Sequence, residues 1–360
     1  MRTSAWIGIA LVTILTIAGP SDAAQLSRKK AIWGPVLRDG ASQFPIYRDL
    51  GVGIYQTTLR WSAVAAERPV APRNPDDRAY AWPQELDVAV AEAQRHGIRI
   101  ALTVMGTPGW ANRGRDPRWA PRDADDFADF VTAAARRYPS VRLWMIWGEP
   151  TKPSNFQPLR PDHGRPLRGG GLRGPRRYSQ LLDAAYGALK RASRRNLVIG
   201  GNTWTAGTVR PRNWIRALRL AGGRRPRMDL YGHNPFSVRP PRLSGSPLGN
   251  GYADFADLDT LAGWLDRAFG ARRRLRLFLS EYSLPTGHAN HEFNFHVTER
   301  TQARWIRAAL GVTRRWSRIY SFGYLGLYDD PLRPDGLQVE RGLLRRDGSR
   351  KPAYAAYRDG

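Results

Sequence analysis

Leu143-Trp144-Met145-Ile146-Trp147-Gly148-Glu149-Pro150 is an apolar run that stops on a single carboxylate followed by proline. Such a run reads as a buried strand, and a buried strand that delivers one Glu to its C-terminal end is how a parallel barrel presents an acid at its open face. Leu275-Arg276-Leu277-Phe278-Leu279-Ser280-Glu281 repeats the pattern: apolar residues alternate along it, and it too stops on Glu. Two strand-end glutamates predict a pair of carboxyl groups facing one cleft.

Beyond these two segments, short apolar runs alternate with amphipathic ones, as in repeated βα units. Strands are expected over residues 31–36, 53–61, 98–105, 141–147, 197–202, 228–233, 275–281 and 319–325. Helices are expected over 84–96, 124–138, 178–193, 213–221, 254–269 and 298–314. In the first of these, Leu86, Val90 and Ala93 recur at helical spacing and His96-Gly97 ends the helix. Asp123 stands as a cap ahead of Ala124 and Asp125. Eight strands with intervening helices predict a single (β/α)8 barrel of the α/β class. An open doubly wound sheet is the alternative; it usually carries a glycine-rich phosphate turn after its first strand, and Gly34-Pro35-Val36 is not one. Segments 151–177, 237–252 and 285–296 read as long irregular loops of the kind that shape a barrel's cleft. The first holds five prolines and Gly169-Gly170-Gly171, and its residues 163–175 also read as an arginine-rich insertion without packing of its own.

The chain has 360 residues, within the range of one barrel domain. Met1-Arg2, an apolar run over 5–18 and Gly19-Pro20-Ser21-Asp22-Ala23-Ala24 match a secretory signal cleaved near Ala23-Ala24, so residues 1–24 are expected to be removed. That apolar run is short for a membrane span, and no other long one follows. The expected product is a secreted single domain over 25–360 with no membrane span, acting as a monomer. Cysteine is absent, which excludes disulfides, thiolate metal sites and a cysteine nucleophile. The net charge is +26, and only five of the 57 basic residues are lysine. Arginines fall in short groups, such as Arg136-Arg137, Arg194-Arg195 and Arg314-Arg315, mostly at expected helix ends where cations complement the helix dipole. Attraction to an anionic polymer is the other reading of the same charge.

Cleaving a glycosidic bond takes two carboxyl groups, one protonated to assist the leaving oxygen and one ionised to attack or to activate water. Glu149 and Glu281 are the natural pair. Apolar neighbours of Glu149, Trp147 among them, are expected to raise its pKa and suit it to be the acid. Tyr282, His233 and Arg60 are the candidates for holding Glu281 ionised. Trp110, Trp119, Trp147 and Trp204 lie in or just after strand ends and could stack on sugar faces. His288, His291 and His296 with Glu292 lack the spacing of a metal site. No metal or cofactor is expected.

These residues resemble the large (β/α)8 clan of retaining glycoside hydrolases that includes cellulases and β-xylosidases. In that clan the fourth strand ends in Trp-Asn-Glu-Pro with the acid/base, and the seventh in a Thr/Ser-Glu-aromatic step with the nucleophile. Trp147-Gly148-Glu149-Pro150 and Ser280-Glu281-Tyr282 match them here. Thr58-Leu59-Arg60-Trp61, Thr107-Pro108-Gly109-Trp110-Ala111 and His233-Asn234-Pro235-Phe236 are similar too, as is the tail 342–354. The resemblance spans the mature chain and implies a retaining β-glycosidase with Glu149 as acid/base and Glu281 as nucleophile. It also implies substrate contacts from Arg60, Trp110, Trp147, Gly148, Asn202, His233, Asn234 and Tyr282.

Two departures stand out. Gly148 replaces the clan's Asn, which contacts the sugar 2-hydroxyl, and Phe236 stands where many relatives carry a Tyr that orients the nucleophile. Asn234 or Asn202 is the candidate replacement amide. The expected partner is an oligo- or polysaccharide, acidic if Arg60, Lys152, Arg160 and Arg239 line the cleft, with nucleic acid not expected. A barrel that binds sugars without cleaving them, and a basic protein that docks on an anionic polymer, are the alternatives.

Overall fold

The computed structural model describes residues 25–243, 246–288 and 290–360. The expected signal segment, 1–24, lies outside them. Eight parallel strands close into one barrel in the order β1 to β8: β1 (Ser27–Trp33), β2 (Val52–Arg60), β3 (Arg99–Met105), β4 (Leu143–Ile146), β5 (Leu197–Trp204), β6 (Leu230–Asn234), β7 (Arg276–Tyr282) and β8 (Ile319–Leu325). Closure comes from β1, which pairs Lys30 with Phe322 of β8 on one side and Ala31 with Ile54 of β2 on the other.

Each strand is followed by a helix: α1 (Phe44–Asp49), α2 (Gln84–Arg95), α3 (Ala124–Arg137), α4 (Arg173–Ala192), α5 (Pro211–Ala217), α6 (Leu258–Phe269), α7 (Glu299–Arg315) and α8 (Pro352–Asp359). A two-stranded hairpin, Leu37–Arg38 with Ala41–Ser42, caps the first unit. The open-sheet alternative is therefore excluded. No helix among the described residues is long and apolar enough to cross a membrane.

Strand alternation sorts the apolar side chains into two layers. Ala31, Ile54, Ala101, Leu143, Met145, Ile199, Leu230 and Phe278 fill the barrel interior. Trp144 and Ile146 of the same β4 run join the larger shell between strands and helices. A run buried on both faces needs no polar alternation, which is why 143–146 is uninterrupted.

All eight strands were expected from the sequence, but their ends differ. β4 stops at Ile146, because Trp147 and Glu149 take left-handed backbone with φ of 69° and 43°. α4 starts at Arg173, not at 178, after a 3-10 turn over Gly169–Leu172, and accepts Pro175 in its first turn. Residues 163–175 are anchored at their two ends and largely exposed between: Asp162 accepts from Gly164 N, Arg210 N and Asn213 Nδ2, and Gly174 and Pro175 are buried. The helix expected over 213–221 starts at Pro211 and ends at Ala217. The expected cap holds, with Asp123 accepting from Asp125 N at 2.9 Å.

Candidate active site

The two glutamates reach the mouth of the barrel by different local devices. On β4 the left-handed turns at Trp147 and Glu149 break the strand period and swing Glu149 out of the ladder. A bulky residue at positive φ costs about 1–2 kcal/mol, and the surrounding contacts hold it. The Trp147 indole is fully buried, donates to Asn155 O at 2.7 Å and packs edge-on against Phe156. On β7 the register against β8 shifts between Leu279↔Phe322 and Tyr282↔Tyr324, so Ser280 and Glu281 form a bulge. Bulges re-aim side chains at strand ends, and this one delivers Glu281.

The bulge is pinned from below. Gln56 Nε2 donates to Ser280 O at 2.8 Å, Ser280 Oγ donates to Gln56 Oε1 at 3.0 Å, and Trp33 Nε1 donates to Ser280 O at 3.1 Å.

Glu149 is buried and doubly held: Asn234 Nδ2 donates to Oε1 at 2.9 Å, and Lys152 Nζ pairs with Oε2 at 2.5 Å. The same ammonium lies 4.4 Å from the Trp204 ring centre. Asn202, left-handed at φ 40° in a bulge of β5, donates to Trp147 O at 3.4 Å. Asn202 and Asn234 each leave a buried amide oxygen without a partner.

Glu281 keeps partial exposure, yet the protein packed around it pushes its carboxyl up to about 8, with the Glu149 charge adding to the rise. Lys152 and Arg341 oppose the shift. Arg341 itself is buried between Glu292, at 2.5 Å, and Asp330, at 3.1 Å. Of the pair, Glu281 is the carboxyl that burial raises, while Glu149 is in an ion pair with Lys152.

Beside the pair is a hollow of about 360 Å³, lined by Lys152, Trp204, Phe236, Phe293, Phe295 and Glu292 among others. Phe236 packs on Phe293 with ring centres 5.5 Å apart. Gly148 is open: a Cβ there would lie 3.4 Å from Met105 Sδ and 3.8 Å from Thr103 Cγ2, ordinary contact distances.

Of the residues singled out in the sequence, Glu149, Glu281, Gly148, Asn202 and Asn234 come together at this mouth. Others do not. Tyr282 is fully buried in the outer shell against Phe255 and Phe322, because the bulge turns it away from the barrel axis. His233 is enclosed, with Nδ1 2.8 Å from Thr203 Oγ1 and Nε2 2.9 Å from Ala253 O. Burial pushes it down to about 4, so the ring is neutral: Nε2–H donates to the carbonyl and Nδ1 accepts. It fastens β5 to the segment before α6. Arg60 is exposed, and the cations acting on Glu281 are Lys152 and Arg341. Trp147 is core. Trp110 donates to Ala65 O and packs on Trp61, with Arg68 over its face. His288 and His291 turn to the Gly336 and Leu337 carbonyls, and no three metal-ligating side chains gather among the described residues. Sequence reading missed Gln56, Trp33 and Arg341, whose roles depend on which strands and loops meet.

No protein-family model matches the chain, and no curated protein matches its sequence. Solved structures do share its fold. A family 39 glycoside hydrolase from the gut symbiont Bacteroides cellulosilyticus WH2 is similar over 92% of this chain and 63% of that one, at 17% identity and a TM-score of 0.64. A glucosidase from Croceicoccus marinus is similar over 95% of this chain and 68% of that one, at 16% identity and 0.62. A monomeric β-xylosidase from Caulobacter crescentus CB15 is similar over 93% and 68%, at 17% identity and 0.55. The chain thus spans about two thirds of the length of these neighbours, and the likeness establishes the barrel.

Proposed function

We propose that the protein is an exported retaining glycosidase acting on a β-linked oligo- or polysaccharide, with Glu281 as nucleophile and Glu149 as acid/base. One observation carries this reading: carboxyl groups from the ends of β4 and β7 share one cleft closely enough for the charge of Glu149 to raise Glu281. The glycoside hydrolases and glycosidases among the structural neighbours support it.

Double displacement needs one proton on the pair, placed on Glu149. Burial raises the Glu281 carboxyl, and Lys152 pairs with Glu149. A sugar hydroxyl or carboxylate that draws Lys152 off Glu149 lets the proton pass to Glu149. Glu281 then attacks the anomeric carbon as the glycosidic C–O bond breaks, and Glu149 gives its proton to the leaving oxygen. In the second half Glu149 takes a proton from water, the water oxygen bonds to the anomeric carbon, and Glu281 departs. The unpartnered amide oxygens of Asn202 and Asn234 offer acceptors for sugar hydroxyls beside Glu149.

The test is incubation with 2-fluoro activated β-glycosides followed by peptide mass spectrometry. A covalent adduct on Glu281, absent in Glu281→Gln, is the expected outcome, together with retained anomeric configuration by proton NMR. A barrel that binds sugars without cleaving them is the second reading, favoured by Gly148 and by the raised carboxyl of Glu281. Glycan binding with neither adduct nor hydrolysis across a panel of β-glycans establishes that reading and defeats the first.

A further inference from the structure

A trough away from the carboxylates concentrates cations that nothing neutralises. It has a volume of about 960 Å³ and lies between the β3–α3 loop, the β4–α4 loop and the start of α4. The first loop contributes Arg113, Arg115 and Arg122, the second Arg160, and the helix Arg173, Arg176 and Arg177. No carboxylate lines it. None of these seven guanidinium groups forms an ion pair among the described residues: Arg115 lies over the Trp119 ring at 4.4 Å, and Arg177 donates to Gln180. Elsewhere arginines are held by acids, as Arg239 is by Asp254 and Asp257, Arg318 by Asp266 and Arg227 by Asp183.

Helix polarity sharpens the contrast. Arginines at the ends of α3 and α7 sit where the dipole is negative and are stabilised there. Arg173, Arg176 and Arg177 crowd the positive end of α4, whose first turn has no acid. This placement costs folding energy, and an anion in the trough relieves it. A second hollow of about 500 Å³ shares Arg176 and Gln180 and adds Arg216 and Arg219, again with no acid, so the basic track continues.

We infer that this trough binds a strand of carboxylate-bearing polysaccharide and leads it to the Glu149–Glu281 cleft; the second half of that statement rests on the glycosidase reading. Guanidinium groups pair bidentately with carboxylates, and a polyuronate presents one per sugar. The loop that supplies Gln157 and Arg160 to the trough also carries Glu149 and Lys152, so the trough and the acid/base are built on one segment. A nucleic-acid strand fits less well. Single strands are held by aromatic platforms, and the lone aromatic of the trough, Trp119, is already covered by Arg115.

The test measures binding of a polygalacturonate hexamer to the full chain carrying Glu281→Gln, which removes turnover, so failure of hydrolysis and failure of binding read out separately. The expected result is binding that falls about tenfold or more in Arg160→Ala/Arg176→Ala, since each charge-assisted contact is worth on the order of 1.5 kcal/mol or more. The methyl-esterified hexamer is expected not to bind. Arg194→Ala/Arg195→Ala, at the far end of α4, removes the same charge and is expected to leave affinity within about twofold, since distant exposed charges are screened. Equal loss in both double variants would assign the effect to net charge and overturn the proposal. So would unchanged affinity in Arg160→Ala/Arg176→Ala, or equal or tighter binding of a single-stranded oligonucleotide of matched charge.

Discussion

Glu281, Glu149 and Lys152 form a three-charge cluster whose balance decides which protonation state the free protein presents. Glu281 is pushed up to about 8, so its ionised fraction grows as pH rises through that value. The productive pair carries one proton, so kcat/KM, which reports groups of the free enzyme, holds up to about pH 8 and falls above it as the pair loses that proton. Lys152 lowers the Glu281 carboxyl, so Lys152→Met moves this alkaline limb further up. A full pH–rate profile of both proteins checks this, and a rate that keeps rising from about pH 8 to 10 would show that the pair works without a proton and overturn the acid and nucleophile assignment. Gly148 adds a second residue-level prediction. Its φ lies outside the left-handed region, and a Cβ meets neighbours at ordinary distances, so Gly148→Asn fits without moving the backbone. An amide beside Glu149 restores a donor to the sugar, and one such contact is worth about 1–3 kcal/mol in the transition state. The expected outcome is a gain in kcat/KM of about tenfold with Tm unchanged; a loss of activity would mean that the open space at Gly148 is itself used by substrate.

The bulge of β7 makes one strand's end depend on another's side chain. Gln56 of β2 reaches across the barrel interior, donating to the Ser280 carbonyl and accepting from its hydroxyl. Gln56→Leu leaves the Ser280 hydroxyl buried without a partner, at a cost of about 1–3 kcal/mol, and the Ser280 carbonyl with Trp33 Nε1 as its remaining side-chain donor. Thermal unfolding is expected to shift down by several degrees, and kcat to fall more than KM rises, because Glu281 moves while the rim of the cleft does not. Equal falls in activity for poorly and highly activated leaving groups would instead indicate general unfolding. These elements also show where sequence reading succeeds. The eight strands were legible because period and apolarity are local properties, and 143–146 needs no partner to declare itself. The ends of β4 and β7 were not. Positive φ at Trp147 and a bulge at Ser280-Glu281 arise from what packs around them, so Trp147 and Tyr282 were read as cleft residues and are core. α1 and α8 escaped because six and eight residues give too few turns for a periodic signal. Glu149, Glu281 and Asn234 were legible as strand ends, whereas Gln56 and Arg341 acquire meaning only through inter-strand register and loop contact.

The whole molecule carries 57 basic against 31 acidic residues, a net charge of +26, so a large share of its cations have no acid of their own however the chain folds. The sequence made the excess plain but not its distribution, because the arginine trough forms only when two loops and the start of α4 converge. Salt acts on this molecule in two opposing ways. It weakens exposed ion pairs, each worth about 0–1 kcal/mol, and it screens the self-repulsion of a net charge of +26. Many of the pairs are exposed, Arg73–Asp129 and Arg350–Asp49 among them, so their loss costs little, while repulsion runs over the entire surface. Tm is therefore expected to rise as NaCl goes from about 50 to 300 mM, over which range the screening length falls through about 10 Å. Sulfate at matched ionic strength adds a general effect through exclusion from the surface and, in this protein, a specific one through the trough. Arg173→Ala/Arg176→Ala/Arg177→Ala keeps the first and loses the second. Its Tm in NaCl is expected to match or exceed that of the parent, because three cations have left the positive end of α4, and its extra gain in sulfate is expected to shrink. A variant destabilised at low salt would show that these arginines support the fold through contacts and are not held there against it.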